Sequence, residues 1–499
     1  MKVLYIAAEC KPYSKMGGVA DVAGELPAAM KAKGIDVTVV TPLYKSVDVK
    51  RHGLKAAGKY EVKSAGMTEE VALYKGISHG NVPVIFVRNK TYLDEGPYVH
   101  SIHFPFKDDS IRFYFLCQAV QPLITEDVDI VHANDWMSGY LFSLMAADGM
   151  KQKRVMTVHN ISYQGNLYVP NILGWDMDFL LQSKYAEMFT DLQYFNNVNP
   201  MRLGLELCDI ANAVSPTYAE EILKPGDQGR FFEGGKGLET VCQRLNAEGR
   251  LIGILNGIRY ESVPSEDSFK KMLQEKEKFK KRLSCYFKSP ENALFGIVGR
   301  ACEQKFRLFA EEIDGKPVLE HLLEISGVNI VVSSGGQAEY QSFMANMTMQ
   351  RYKGFCDYGS ALRQQKRMNY AAFTGFDREM TVRINNGSDI FLMPSLFEPC
   401  GITQMESMLS GTPPLVRNTG GLADTVIDHS LPGGNGFVFD GMTRDELLRN
   451  LVSKVHEASK TCKHKSHFKE IQRNAFFKRF TWEDSAEKYA EMYEKVMRR

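Results

Sequence analysis

A chain of 499 residues is too long for one hydrophobic core, so two domains are expected, and 44% hydrophobic with 24% charged residues is an ordinary globular composition. Sixty-one basic against sixty acidic residues leave a formal charge of +1. That balance excludes general attraction to nucleic acid or a membrane surface and leaves room only for a local cationic pocket. No apolar run approaches a membrane span, the first one is too short for a signal-peptide core, and the nine scattered cysteines contain no Cys-x-x-Cys pair. A reducing, cytoplasmic compartment is the expectation.

In chain order, residues 2–8 predict a buried strand, 19–33 a helix that Pro27 should kink and Gly34 should stop, and 36–42 a second strand. This is a βαβ unit with continuous apolar strands, the mark of a parallel sheet. Further strands are predicted at 130–132, 154–159, 211–215 and 253–255. A second βα series follows at 294–299, 329–333, 389–394, 414–417 and 436–439. Between the two series, the Lys/Glu-rich run 270–281 reads as a solvated helix face. The fold class expected is α/β, two Rossmann-like doubly wound domains in series. Ligands of such sheets bind beyond the carboxyl ends of the strands, so facing domains would share a cleft. At the end, Trp482, Ala486, Tyr489, Ala490, Tyr493 and Val496 have helical apolar spacing, which fits a surface helix of the second domain as well as one crossing to the first.

Chemistry-bearing residues cluster where strands are predicted to end. Lys15, Gly17 and Gly18 open the first helix, where free N–H groups suit a phosphate, although an ordinary tight turn reads the same. The dinucleotide fingerprint Gly-x-Gly-x-x-Gly is absent, so nicotinamide is not expected. His132-Ala133-Asn134-Asp135-Trp136 and His159-Asn160-Ile161-Ser162-Tyr163-Gln164-Gly165 place polar groups at two further strand ends. In the second half, Arg300 and Lys305 put two cations after a strand. Glu398-Pro399-Cys400-Gly401 leads to Glu406, seven residues intervening, about two helical turns, so that both carboxylates could face one ligand. Thr419-Gly420-Gly421-Leu422 is another glycine turn at a helix start. No His/Cys/Asp spacing suggests a closed metal site, and no Gly-x-Ser-x-Gly elbow suggests a hydrolase.

Taken together, the 15–22 loop, 132–136, 159–165, Val214-Ser215-Pro216-Thr217-Tyr218, Leu255-Asn256-Gly257-Ile258, Arg300/Lys305, Glu398-Pro399-Cys400-Gly401 and 417–426 resemble the glycogen synthase and starch synthase family over essentially the whole length. The resemblance implies the two-domain GT-B fold, with residues 1–257 forming the first domain, 258–480 the second, and a terminal helix 481–499 returning to the first. It implies retaining transfer of glucose from ADP-glucose to the non-reducing end of an α-1,4-glucan. Another nucleotide sugar or acceptor, or a non-catalytic glucan-binding relative, are the alternatives. Arg300 and Lys305 would hold the donor diphosphate and stabilise its departure, which makes a metal cofactor unnecessary. Glu398 would hold the glucose and His159 would sit near the reacting carbon. Lys15, Gly17, Gly18, Asn160, Asn256, Phe376, Cys400, Gly401, Glu406, Thr419, Gly420 and Gly421 would line the donor site. Asp21 and Asp135 would meet sugar or acceptor.

This chain departs from the family at several places: Phe306 stands where glycine usually follows the lysine, Arg259 where aspartate is usual, the tryptophan expected a few residues later is absent, 343–368 match poorly, and Glu406 follows the wider group of retaining GT-B enzymes. A glycine after Lys305 would allow a close backbone approach that phenylalanine does not. The resemblance therefore predicts a rebuilt loop there, with Lys305 still reaching the diphosphate.

Overall fold

In the computed structural model, residues 1–64, 66–96, 109–168, 185–351, 368–375 and 377–499 are described. The chain divides into two compact units, Met1–Gly226 with Gly234–Arg259 and Thr481–Arg499, and Asp227–Glu233 with Tyr260–Phe480. The stretch Asp227–Glu233, which the sequence reading left in the first domain, clusters with the second unit.

The first unit holds β1 (Lys2–Ile6), β2 (Asp36–Pro42), β3 (Lys55–Ser64), β4 (Met67–Ser78), β5 (Val82–Arg88), β6 (Ile130–Asn134), β7 (Lys153–Val158), the short pair β8 (Leu167–Tyr168) and β9 (Asn197–Val198), then β10 (Ile210–Ala213) and β11 (Leu251–Gly253). Its main sheet runs β11-β10-β7-β6-β1-β2-β5-β4-β3. The strands from β11 to β5 are parallel and apolar, because helices cover both faces. Val3, Tyr5, Val37 and Val39 face one layer, formed with helices Gly18–Ala32 and Trp482–Met497, while Leu4, Ile6 and Val40 face the other. The terminal helix thus packs on the first unit, as the family resemblance implied. Helix Gly18–Ala32 carries Pro27 within it.

The antiparallel ribbon β3–β4–β5 has no counterpart in the sequence reading. β3 is largely exposed and rich in Lys and Glu, so it lacks the apolar run that marks a buried strand. The predicted strands 211–215 and 253–255 sit one to two residues too late relative to β10 and β11. Apolar residues continue past the last ladder hydrogen bond in both cases.

The second unit contains β12 (Ala293–Ala301), the hairpin β13 (Glu312–Ile313) and β14 (Lys316–Pro317), then β15 (Val328–Gly336), β16 (Tyr370–Thr374), β17 (Ile390–Met393), β18 (Pro414–Arg417) and β19 (Phe437–Phe439). Its main sheet runs β16-β15-β12-β17-β18-β19, all parallel. Counting only these strands, the order is 3-2-1-4-5-6, the doubly wound arrangement.

The run 270–281 lies in helix Glu266–Leu283, capped by Ser265, but it is not wholly solvated. Helix Arg378–Gly387 packs against it. Lys276 is buried with Nζ 2.5 Å from Thr412 Oγ1, and Lys280 pairs with Asp389 at 2.7 Å. Burial pushes the Lys276 ammonium down from its ordinary 10.5 to about 7. Below pH 7 the folded and unfolded chains both carry this proton. Between about 7 and 10.5 only the unfolded chain does, so stability rises with pH in that window, approaching about 1.4 kcal/mol per pH unit for one proton. Lys276→Met is expected to flatten that rise in urea unfolding between pH 7 and 9. A slope equal to wild type would mean that Lys276 stays charged in the folded chain.

Candidate active site

In a doubly wound sheet the strand order reverses beside the first strand, and the crevice beyond the carboxyl ends there is where ligands bind. In the second unit that point lies between β12 and β17, which pair through Phe295 and Gly296. Arg300 is exposed near the end of β12, and its guanidinium has no ion-pair or hydrogen-bond partner among the described residues. Helix Glu303–Ala310 starts two residues after the strand, and Lys305 is its third residue. β17 leads to the 394–402 segment and the buried Glu398. Lys305 Nζ and the Glu398 carboxylate form an ion pair, with side chains only 21% and 10% exposed.

The backbone around that pair is clipped together. Leu396 N–H donates to Gln304 O at 2.8 Å, and Gln304 Nε2 donates to Phe397 O at 2.9 Å. Gly421 N–H donates to Glu398 O at 2.9 Å, and a Cβ on Gly421 would lie 2.1 Å from Cys400 O. Gly421 is therefore required for close approach of two backbones, and its N–H is engaged, contrary to the expectation that it meets a phosphate. Gly401 has φ of 73°, and a Cβ there would meet Gln404 Oε1 at 2.4 Å. Gln404 Nε2 in turn donates to Cys400 O and Gly401 O. Cys400 and Thr419 are buried, and Gly420 begins helix Gly420–Thr425. Arg417, in the motif but not foreseen as a working residue, donates to Leu396 O at 2.7 Å and to Arg230 O and Phe231 O at 2.8 Å. It ties the start of the Glu398 segment to the 227–233 stretch.

Two expectations need correction here. Glu398 lies before helix Thr403–Leu409 and only Glu406 is in it, exposed, so the spacing of the two carboxylates is not two turns of one helix. Phe306 rebuilds no loop. It occupies an interior position of helix Glu303–Ala310, where a side chain is an advantage, and its buried ring packs near Phe309 and Tyr340. Phe376 lies outside the described residues.

The first unit has its own reversal point, between β1 and β6. Glu9, just after β1, is fully buried and was missed by sequence reading. Its carboxylate accepts N–H of Met16 at 2.5 Å and of Gly17 at 3.1 Å. The glycine loop thus closes on an internal carboxylate, and Gly17 N–H is engaged where a phosphate contact was expected. Burial raises the Glu9 pKa, against the pull of those N–H bonds. Gly18 is the first residue of its helix, and Lys15 pairs with Asp21 at 2.6 Å, joining two residues that were assigned to different ligands.

After β6, Asp135 takes φ of 55°, a left-handed conformation that a non-glycine residue adopts only under constraint. The constraint is visible: Asp135 Oδ1 accepts N–H of His159 at 2.7 Å and of Asn160 at 3.4 Å, so the ends of β6 and β7 are laced together. Asn160 Oδ1 accepts Ser162 N–H at 3.0 Å, shaping the turn that follows. Burial pushes Asp135 up to about 7 and His159 down to about 3. His159 Nε2 stands 2.8 Å from Asn134 Oδ1. Asn256 is buried with no partner for Oδ1 among the described residues.

His132 does not face a ligand. It is fully buried, 2.6 Å from Tyr493 Oη of the terminal helix and 2.6 Å from Thr157 Oγ1, with its pKa pushed down to about 3 by burial. Among the described residues, Asp428, His429 and Glu457 gather closely enough to hold a cation. Lys454 already occupies that role, with Nζ 3.3 Å from Asp428 and 3.0 Å from Glu457.

Among the described residues no helix is long and apolar enough to cross a membrane. The family model for the starch synthase catalytic domain matches residues 2–244, and that for glycosyl transferases group 1 matches 362–475. The chain is 32% identical to Glycogen synthase 1 of Geobacter sulfurreducens, covering 100% of this chain and 97% of that one. It is 31% identical to the glycogen synthase of Gloeobacter violaceus, covering 100% of both. The catalytic domain of Starch Synthase IV from Arabidopsis thaliana, solved bound to ADP and acarbose, superposes with a TM-score of 0.79 at 27% identity, covering 100% of this chain and 99% of that one. A sucrose-phosphate synthase from Thermosynechococcus elongatus shares the fold at a TM-score of 0.56 and 13% identity, over 99% of this chain and 98% of that one. With two doubly wound units and these matches along its full length, the chain belongs to the glycogen synthase and starch synthase family and is a glycosyltransferase of the GT-B fold.

Proposed function

We propose that the chain transfers glucose from ADP-glucose to the non-reducing end of an α-1,4-glucan, with retention of configuration. The observation that carries this reading is the Arg300, Lys305 and Glu398 group at the strand-order reversal of the second unit. Cleaving a glucose–diphosphate bond builds negative charge on the leaving oxygens, and two cations at a crevice answer that charge. Glu398, an acceptor of hydrogen bonds, suits sugar hydroxyls and lies beside the lysine that would hold the diphosphate. Arg300 and Lys305 do the work that a divalent ion does elsewhere, so transfer needs no metal. Taken by itself, the first unit presents His159 and Asp135 at the ends of β7 and β6, groups suited to sugar hydroxyls, and Asn256, whose buried Oδ1 has no partner among the described residues, is suited to another. The adenine preference is inferred from the ADP-bound relative. Retention follows if the acceptor hydroxyl approaches on the face the diphosphate leaves, with that diphosphate taking the proton, and Glu398 then needs no covalent role.

The test is a transfer assay on glycogen with ADP-glucose and UDP-glucose supplied separately, each with and without EDTA. Faster transfer from ADP-glucose, unchanged by EDTA, is expected. A preference for UDP-glucose would overturn the donor assignment. Glycogen binding without transfer from either donor would make the protein a non-catalytic relative.

A further inference from the structure

Asn134 ends β6 among Ile6, Tyr5 and His159. Its Nδ2 donates to the Ile6 carbonyl oxygen at 2.9 Å, which sets the orientation of the amide and turns Oδ1 the other way. That oxygen receives the buried Tyr5 hydroxyl at 3.0 Å and stands 2.8 Å from His159 Nε2. An amide oxygen accepts and never donates, so the proton of this contact is on Nε2. Burial holds the imidazole down at about 3, so near neutral pH no second proton joins it. His159 Nδ1 has no hydrogen-bond partner among the described residues.

We propose that Asn134 is a positioning residue that holds His159 as the Nε2–H tautomer, leaving Nδ1 as a bare acceptor for a hydroxyl hydrogen of the sugar being transferred. The proposal rests on the glycosyltransferase reading above. A ring held this way accepts from a sugar hydroxyl at Nδ1 and spends its one N–H on Asn134, so it selects for a hydroxyl at the contacted carbon and takes no part as an acid. His132, two residues before Asn134 on β6, shows the contrast. Thr157 donates to Asn212 Oδ1 at 2.7 Å and so accepts from His132 Nε2, while His132 Nδ1 accepts from Tyr493. Both of its nitrogens are used inside the core, whereas His159 keeps one for a ligand. The titratable groups around His159 are Asp135 at its backbone N–H, His132 on β6 and Tyr5 on β1, which shares Asn134 Oδ1, while Glu9 acts on Asp135.

Histidine labelled with nitrogen-15 in the full chain reads the tautomer directly, with His159→Gln identifying the signal. Wild type is expected to show Nε2 protonated and Nδ1 bare near neutral pH. A protonated Nδ1 overturns the assignment whatever the activity. In transfer assays Asn134→Leu is expected to lower kcat at least about tenfold while ADP affinity is unchanged, because the ring loses the hydrogen bond that sets its orientation as well as its tautomer. Asn134→Asp keeps the acceptor and adds a charge that favours the imidazolium. Its acid limb is expected to move up by about one pH unit or more, with activity returning at higher pH. Wild-type kcat in Asn134→Leu, or an unmoved acid limb in Asn134→Asp, would leave Asn134 a packing residue only. Should the leucine variant fail to fold, the aspartate variant and the labelled spectrum decide. A wild-type protein with Nε2–H in the spectrum but no transfer counts against the glycosyltransferase reading and not against the tautomer.

Discussion

Glu398→Ala is expected to lower transfer roughly a hundredfold while ADP binds more tightly than it does to wild type. In the resting chain the Glu398 carboxylate and Lys305 ammonium are paired in a largely buried setting. The lysine must leave that pair before it can meet a diphosphate, so the carboxylate competes with ADP. Removing it costs the sugar contacts of the transition state, on the order of 3 kcal/mol or roughly a hundredfold in rate. The same change frees Lys305, and ADP affinity should rise several-fold, up to about tenfold or ~1.4 kcal/mol. Titration calorimetry with ADP beside a transfer assay checks both halves. An equal loss of ADP affinity and activity would show instead that Glu398 supports the 394–402 segment, whose backbone is held through Gln304 and Gly421.

Phe306→Gly is expected to destabilise the second unit by about 4–6 kcal/mol, the sum of a large core deletion and a glycine inside a helix. The family usually has glycine here, so a sequence comparison alone would make this substitution a restoration. The packing argues the opposite, because the ring is 2% exposed in the hydrophobic core beside Phe309 and Tyr340. Lys305→Ala, one residue away, should lower transfer at least about tenfold with a smaller loss of stability, which comes from the buried Glu398 carboxylate left unpaired and not from the hydrophobic core. Thermal unfolding of the two variants against wild type separates the cases. A stable, more active Phe306→Gly would mean that the helix is not the working conformation of this segment.

The family-level architecture was legible in the sequence because it rests on local signals. Apolar runs of strand length, helix-period stripes and glycine turns at βα junctions depend on residues within a few positions of one another. They were sufficient to place β1, β2, β12, β17 and β18, the motif residues that follow them, and the family they resemble. The exposed ribbon β3–β4 escaped because a strand paired at a sheet edge, with charged residues facing water, carries little apolar pattern.

What each motif residue does was decided only by the tertiary structure. Lys15 and Asp21 pair with each other, Gly17 answers to Glu9, Gly421 makes room for Cys400 and Glu398, and His132 is locked to Tyr493, 361 positions later. Local sequence states which groups stand at a strand end. Whether such a group serves a ligand or a neighbour depends on which distant backbone closes on it and on how much water remains. Arg300 has no partner among the described residues, and Lys305 pairs with Glu398 at the reversal point of the sheet; the proposed function draws on these three because distant backbone has not closed over them.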